Sequence, residues 1–249
     1  MSMPSIETDQ AYGDVIYPES DDKPMAENPL QGSVIRMLVC GFMRLFDGRD
    51  DMFVGGDFFW YPVEGDHKTV TAPDVTVIAD LPQPVDYRTM GSYRQWVFSG
   101  RVLLAVEVWS PSDTAKEMIR KLAFYERHGV AECWMFDPQD GSLAVYVRVG
   151  DQFRVITDAG NGWTSPNTGV HLAVVGTELL VRDPDGRPWS TPLEEARRAD
   201  EMAARADEMA ARADEMAARA DEMAARAEQA EAENEALRAE LARLCDSSH

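Results

Sequence analysis

A chain of 249 residues, 45% hydrophobic and 9% aromatic, can bury a full core and still carry an extension. Its net charge of −20 argues against broad, sequence-independent binding to nucleic acid, which depends on lysine and arginine neutralising phosphates. Any such contact needs a local basic surface, a partner or a metal. No run of eighteen apolar residues occurs, which excludes a membrane-spanning helix. Met1 to Asp22 lacks the basic and apolar segments of a signal peptide. Cys40, Cys133 and Cys245 are too widely spaced for a disulfide framework or a zinc site, so a reducing cytoplasm is the expected home.

Residues 1–27 are polar and punctuated by Pro4, Pro18 and Pro24. They read as an extended arm, with a short strand expected over Ala11 to Tyr17. Val34, Leu38, Phe42 and Leu45 then recur at helical spacing, between Pro29, suited to a first turn, and Gly48, suited to an end. Strands are expected at Met52 to Val54 and Phe58 to Tyr61, around a turn or bulge at Gly55-Gly56, and at Val75 to Ile78. Val102 to Val108 is an apolar run interrupted only by Glu107, the pattern of a strand buried on both faces. A helix over Asp113 to His128, closed by Gly129, follows. Then come a strand over Ala131 to Phe136, a hairpin of Leu143 to Val149 and Gln152 to Thr157 around Gly150-Asp151, and a last strand at Glu178 to Arg182. Helix, strands, helix and strands again predict a mixed α/β domain over 28–187.

The tail, 191–245, is the plainest feature. Asp-Glu-Met-Ala-Ala-Arg-Ala occurs four times unchanged, starting at Asp200, Asp207, Asp214 and Asp221. With Met202, Met209, Met216 and Met223 at heptad position d, Ala206, Ala213, Ala220 and Ala227 fall at a. The register continues through Ala230, Asn234, Leu237, Leu241 and Leu244. One Asn at a followed by leucines is typical of a register-fixing parallel coiled coil, here expected to make a homodimer. Glu201 and Arg205, with their repeats, form i,i+4 pairs that would also support a solvated single helix. Either way the rod would be roughly 80 Å long at ~1.5 Å per residue.

Asp74 opens one expected strand and Glu107 stands near the end of another. Carboxylates from two adjacent strands can share a hard cation such as Mg²⁺, and a nearby ammonium can offset phosphate charge and assist the attacking water. Lys121, on the next expected helix, is the candidate. Plainer readings stand beside each. Asp after Pro73 is a common turn-former, and Lys121 lies four residues after Glu117, the spacing of an ordinary helix ion pair. Glu107 among valines needs a partner or a metal, because a lone buried carboxylate is costly. Ser110 reads as a cap for the following helix rather than a nucleophile, and His67, His128, His171 and His249 do not cluster.

Several segments in order carry a resemblance: Ala72-Pro73-Asp74-Val75-Thr76-Val77, Val106-Glu107-Val108-Trp109-Ser110-Pro111-Ser112, Lys121-Leu122-Ala123-Phe124-Tyr125, Gly129-Val130-Ala131-Glu132-Cys133-Trp134 and Asp137-Pro138. Together they resemble the Uma-two restriction-endonuclease-like family. Lys23 to Asn28 and Asp57 to Gly65 resemble one branch of it. The resemblance implies a PD-(D/E)xK core, a mixed central sheet flanked by helices that cleaves phosphodiesters with Mg²⁺. It implies Asp74 and Glu107 as metal carboxylates, the carbonyl of Val108 as a further ligand, and Glu27 or Gln31 at the pocket's edge. Trp109 stands where the superfamily's motif lysine would be, so Lys121 is expected to supply the ammonium, with Tyr125 one turn further along the same face.

Two functions follow as expectations. One is a Mg²⁺-dependent DNA endonuclease using Asp74, Glu107 and Lys121, dimerised by the 200–245 helix. The other is a catalytically inactive nuclease-fold scaffold that self-associates through the same helix.

Overall fold

The computed structural model describes residues 15–18 and 28–246, without the side chains of 192–193 and 240–246. It contains two compact units, Met1–Pro192 and Leu193–His249.

In the first unit, α1 (Pro29–Leu45) starts on Asn28, whose side chain accepts the Leu30 amide at 3.0 Å, with Pro29 in the first turn. Its apolar stripe buries Leu38 and Phe42 completely. The helix stops at Leu45 rather than running on to Gly48, which lies in the turn beyond it.

The strands that follow are β1 (Phe53–Gly55), β2 (Trp60–Tyr61), β3 (Val75–Ala79), β4 (Tyr93–Arg94), β5 (Arg101–Val108), β6 (Glu132–Asp137), β7 (Ser142–Val149), β8 (Gln152–Ile156), β9 (Trp163–Thr164), β10 (His171–Val175) and β11 (Glu178–Arg182). The short α2 (Gln95–Phe98) precedes β5, and α3 (Ala115–Arg127) joins β5 to β6.

Six strands form one mixed sheet in the order β1-β3-β5-β6-β7-β8. Only the β5–β6 pair is parallel, and α3 is its crossover; the other pairs are antiparallel. β5 sits near the centre, with every residue after Arg101 buried. That explains its near-continuous apolar sequence and isolates Glu107 as its only charged buried member. On one face, Leu38 and Phe42 of α1 pack with Leu104, Val106, Trp134 and residues of the small β9–β11 sheet. On the other, Tyr125 of α3 packs with Ala105, Cys133 and Met135, and with Trp60 and Tyr93 of the parallel β2–β4 pair. The sheet is therefore covered by helices on both faces, the mixed α/β architecture expected.

Several small elements were not expected: β4, α2, β9 and β10. The Phe58 to Tyr61 strand shrinks to Trp60–Tyr61. The strand expected over Ala11 to Tyr17 lies partly outside the described residues, and the described part, 15–17, has no strand. Trp189, two residues past the expected boundary at 187, is buried against Gly41 of α1, and its amide bonds to the Val181 carbonyl at 2.8 Å. The compact core thus extends beyond 187.

The second unit is one helix, α4 (Pro192–Asp246), 55 residues long. Arg212, Arg219 and Arg226 each reach back to the glutamate four residues earlier, Glu208, Glu215 and Glu222, at 2.6–2.7 Å. No helix among the described residues is long and apolar enough to cross a membrane.

Candidate active site

The site forms where the C-terminal end of β5 meets the start of β3. Antiparallel pairing sets Val75 opposite Val106, so Asp74, just before β3, comes level with Glu107 and Val108. Asp74 Oδ2 accepts the Val108 amide at 2.7 Å. Gly56 allows the link after β1 to lie on this turn: a Cβ there would stand 2.1 Å from the Asp74 carbonyl oxygen. The Asp57 amide also bonds to the Pro73 carbonyl at 3.0 Å. The Gly55-Gly56 pair is therefore a close-approach device for Asp74.

α3 brings the cation. Its N-terminus is a capping box: Thr114 Oγ1 accepts the Glu117 amide, and Glu117 Oε2 accepts the Thr114 amide at 3.0 Å and hydroxyl at 2.7 Å. This assigns the cap to Thr114 instead of Ser110, and it occupies Glu117, so the plain i,i+4 pairing of Lys121 is not made. Lys121 Nζ instead donates to Glu107 Oε2 at 2.6 Å and lies 3.5 Å from the Ala72 carbonyl. One turn on, the Tyr125 hydroxyl donates to Glu107 Oε1. From α1, Gln31 Nε2 donates to the Val108 carbonyl at 2.7 Å. The structure thus gathers Asp74, Glu107, Val108, Lys121, Tyr125 and Gln31 from four elements. Glu27 lies outside the described residues.

Glu107 is fully buried and Asp74 half-buried, while the Lys121 side chain remains 30% exposed. Burial pushes the Asp74 carboxyl up to about 6, against the pull of Lys121 and the Val108 amide. Burial likewise pushes Glu107 up to about 8, with Lys121 opposing and Asp74 adding to the rise. Burial alone would lower the Lys121 ammonium, but Glu107 and Asp74 outweigh it and hold it above its ordinary value. Two carboxylates face one ammonium, so full ionisation leaves a negative charge uncompensated.

That donor set suits a hard cation: two carboxylates and a backbone carbonyl whose second lone pair is not used by Gln31. No group of three or more His, Cys, Asp or Glu suited to a metal occurs among the described residues. A cation here would complete its shell with water and substrate oxygens, as Mg²⁺ does. Each Glu107 oxygen accepts one hydrogen bond and keeps a second lone pair, so Glu107 could join such a shell while Lys121 and Tyr125 stay in place.

Trp109, two residues past Glu107, lines a groove of about 410 Å³ with Met135, Leu143, Ala144 and Tyr146, edged by Asp137 and Asp140. A second buried carboxylate, Glu132 on β6, was missed as a site residue. It accepts from the Trp134 indole, from Ser165 Oγ at 2.8 Å and from Asn167 Nδ2 at 2.8 Å. Three neutral donors satisfy it without a cation, and its partners lie on the α1 face of the sheet, so it ties the β9 region to the core.

The family Uma2, described as "Putative restriction endonuclease", matches residues 23–174, well over half of the chain, and the chain belongs to that family. The chain is also similar to a crystal structure described as a "putative nuclease belonging to DUF820" from Anabaena variabilis, at 17% identity over 61% of this chain and 80% of that one, with a TM-score of 0.46. No curated protein matches the chain.

Proposed function

We propose that this protein is a metal-dependent endonuclease that hydrolyses phosphodiester bonds in DNA, with Asp74, Glu107 and the Val108 carbonyl as oxygen ligands for Mg²⁺ and Lys121 as the catalytic ammonium. Membership of a nuclease family supports the reaction class. The observation that carries the residue assignment is the 2.6 Å contact between Lys121 and Glu107 beside Asp74, which supplies from α3 the ammonium that Trp109 cannot. Mg²⁺ bound by the two carboxylates would polarise the phosphate and a water as a Lewis acid.

The chain's own residues have separable tasks. Tyr125 fixes the orientation of the Glu107 carboxylate by donating to Oε1. Asp74 accepts the Val108 amide and Gln31 donates to the Val108 carbonyl, holding the backbone on both sides of its Cα and aiming that carbonyl. Lys121 keeps its proton at Nζ and offsets negative charge that gathers on the phosphate. Plasmid nicking with and without Mg²⁺ tests the proposal. The parent protein is expected to nick only with the metal, and Glu107→Ala and Lys121→Ala are expected to lose at least about a hundredfold. Equal nicking by Glu107→Ala and the parent would remove the assignment.

Complete burial of Glu107 with both oxygens engaged, together with the net charge of −20, favours a second reading: a nuclease-fold scaffold without catalysis. Fold alone does not choose between them. Absence of Mg²⁺ binding would select the scaffold. Under both readings α4 self-associates as a coiled-coil homodimer, supported by its four identical heptads and its leucine-bearing end.

A further inference from the structure

Met202, Met209, Met216 and Met223 are 66–72% exposed on α4, and Leu237 is 53% exposed, all at one heptad position. A single helix leaves this seam in water. The flanks of the seam point to what covers it. In the heptad register that places these residues at d, Arg226 and Glu233 fall at g, and Glu231 and Arg238 at e. In a parallel in-register pair, each g side chain meets the e side chain five residues further along the partner. Arg226 then faces Glu231 and Glu233 faces Arg238, giving opposite charges at every such contact flanking Asn234.

Resting on the self-association proposed above, we infer that α4 pairs parallel and in register with a second copy of this chain, and that 226–244 alone sets the register. The four repeats cannot set it. Their sequence is unchanged by a shift of seven, so Met stays on Met and Ala on Ala. The end segment penalises that shift. A slip of one heptad opposes Arg226 to Arg238 and Glu233 to Glu231, and these offset the two attractive pairs it creates, Arg219 with Glu231 and Glu240 with Arg238. The in-register pair has four attractive contacts and no like-charge ones. The slip also sets Asn234 against Ala227 or Leu241. In the single helix one Nδ2 hydrogen of Asn234 goes to the Ala230 carbonyl at 3.0 Å, leaving the second hydrogen to donate to the Oδ1 of the partner's Asn234, and Oδ1 to accept in return. An antiparallel pair with aligned ends sets Asn234 against a methionine layer, which has no amide to answer it. The repeats thus act as an identical-unit spacer and residues 226–244, between two and three heptads, as the lock, with both chains entering the dimer from the same end.

Residues 226 and 231 are five apart and do not face each other on one helix, but Arg226 also holds Glu222 on its own helix at 2.6 Å. Arg226→Glu with Glu222→Arg, which restores only that intrahelical pair and is expected to stay weakened, is therefore the control that makes a charge-swap cycle diagnostic. In the full chain, Arg226→Glu is expected to weaken dimerisation about tenfold in sedimentation equilibrium, and Arg226→Glu with Glu231→Arg to restore it. Orientation is read by spin labels on Ala204→Cys in a Cys40→Ser, Cys245→Ser background. A label separation well under 40 Å is expected; an antiparallel pair would give on the order of 50 Å from ~1.5 Å per residue. A dimer with the long separation, or a double variant that stays weakened, overturns parallel in-register pairing while leaving self-association standing. A monomer at all concentrations overturns self-association itself.

Discussion

At the scale of single residues, the site is held by hydrogen bonds that leave charge unbalanced. Tyr125 is fully buried with its hydroxyl on Glu107. Tyr125→Phe strands a buried carboxylate oxygen and is expected to cost about 1–3 kcal/mol in denaturant unfolding, with a fall in Mg²⁺-dependent cleavage. Asp74 titrates at about 6 in the fold against 3.8 outside it. The folded state therefore binds the extra proton between those values, so metal-free stability from this group is fully present below about pH 4 and lost as pH rises through about 6. Asp74→Asn keeps an oxygen for the Val108 amide but removes the charge. It is expected to melt higher than the parent in chelator at pH 8, with the gain vanishing near pH 4; a constant gain across that range would contradict the burial argument. The proposed site residues Asp74, Glu107 and Lys121 stood out in the sequence because Glu107 is the lone carboxylate in an apolar strand and because the resemblance framed all three. The same lone-carboxylate signal marked Glu132 between Ala131 and Cys133, but nothing in sequence distinguishes a carboxylate satisfied by Ser165 and Asn167, over thirty residues away, from one that awaits a cation.

At the scale of elements, regular periodicity separates what could be read from what could not. α1, β3, β5, α3, β6, the β7–β8 hairpin and β11 carry long enough apolar patterns to be placed within a few residues. β2, β4 and β9 have two residues each, too few for any period, and they exist because Trp60, Tyr93 and Trp163 are recruited by tertiary packing. The i,i+4 reading of Lys121 failed because the Thr114–Glu117 capping box took the glutamate first. Thr114→Ala is expected to destabilise by about 1 kcal/mol through loss of that cap. It also frees Glu117 to compete for Lys121, so cleavage should fall while the fold persists, as checked by circular dichroism beside nicking. Gly56→Ala forces its Cβ into the Asp74 carbonyl and should weaken Mg²⁺ binding more than its effect on melting temperature would suggest.

At the scale of the whole molecule, the chain comprises a compact α/β unit and a 55-residue helix. The helix was evident from its heptads, whereas the true edge of the compact unit was not, because Trp189 reaches the core from beyond a turn that reads as a terminus. A chain ending after Thr191 keeps Trp189 and is expected to sediment as a monomer with an unchanged fold. The net charge of −20 sharpens the need for a cation wherever phosphate approaches, since an acidic molecule gains little from long-range attraction to DNA.

The most direct measurement is calorimetric titration of Mg²⁺ into the full chain at pH 8 in buffers of different ionisation enthalpy, beside Glu107→Gln. The parent is expected to bind with release of protons from the Glu107 carboxyl, which is pushed up to about 8, and the variant to lose binding by ~10-fold or more. No heat in the parent, or identical titrations for the two proteins, would contradict a cation shared by Asp74 and Glu107.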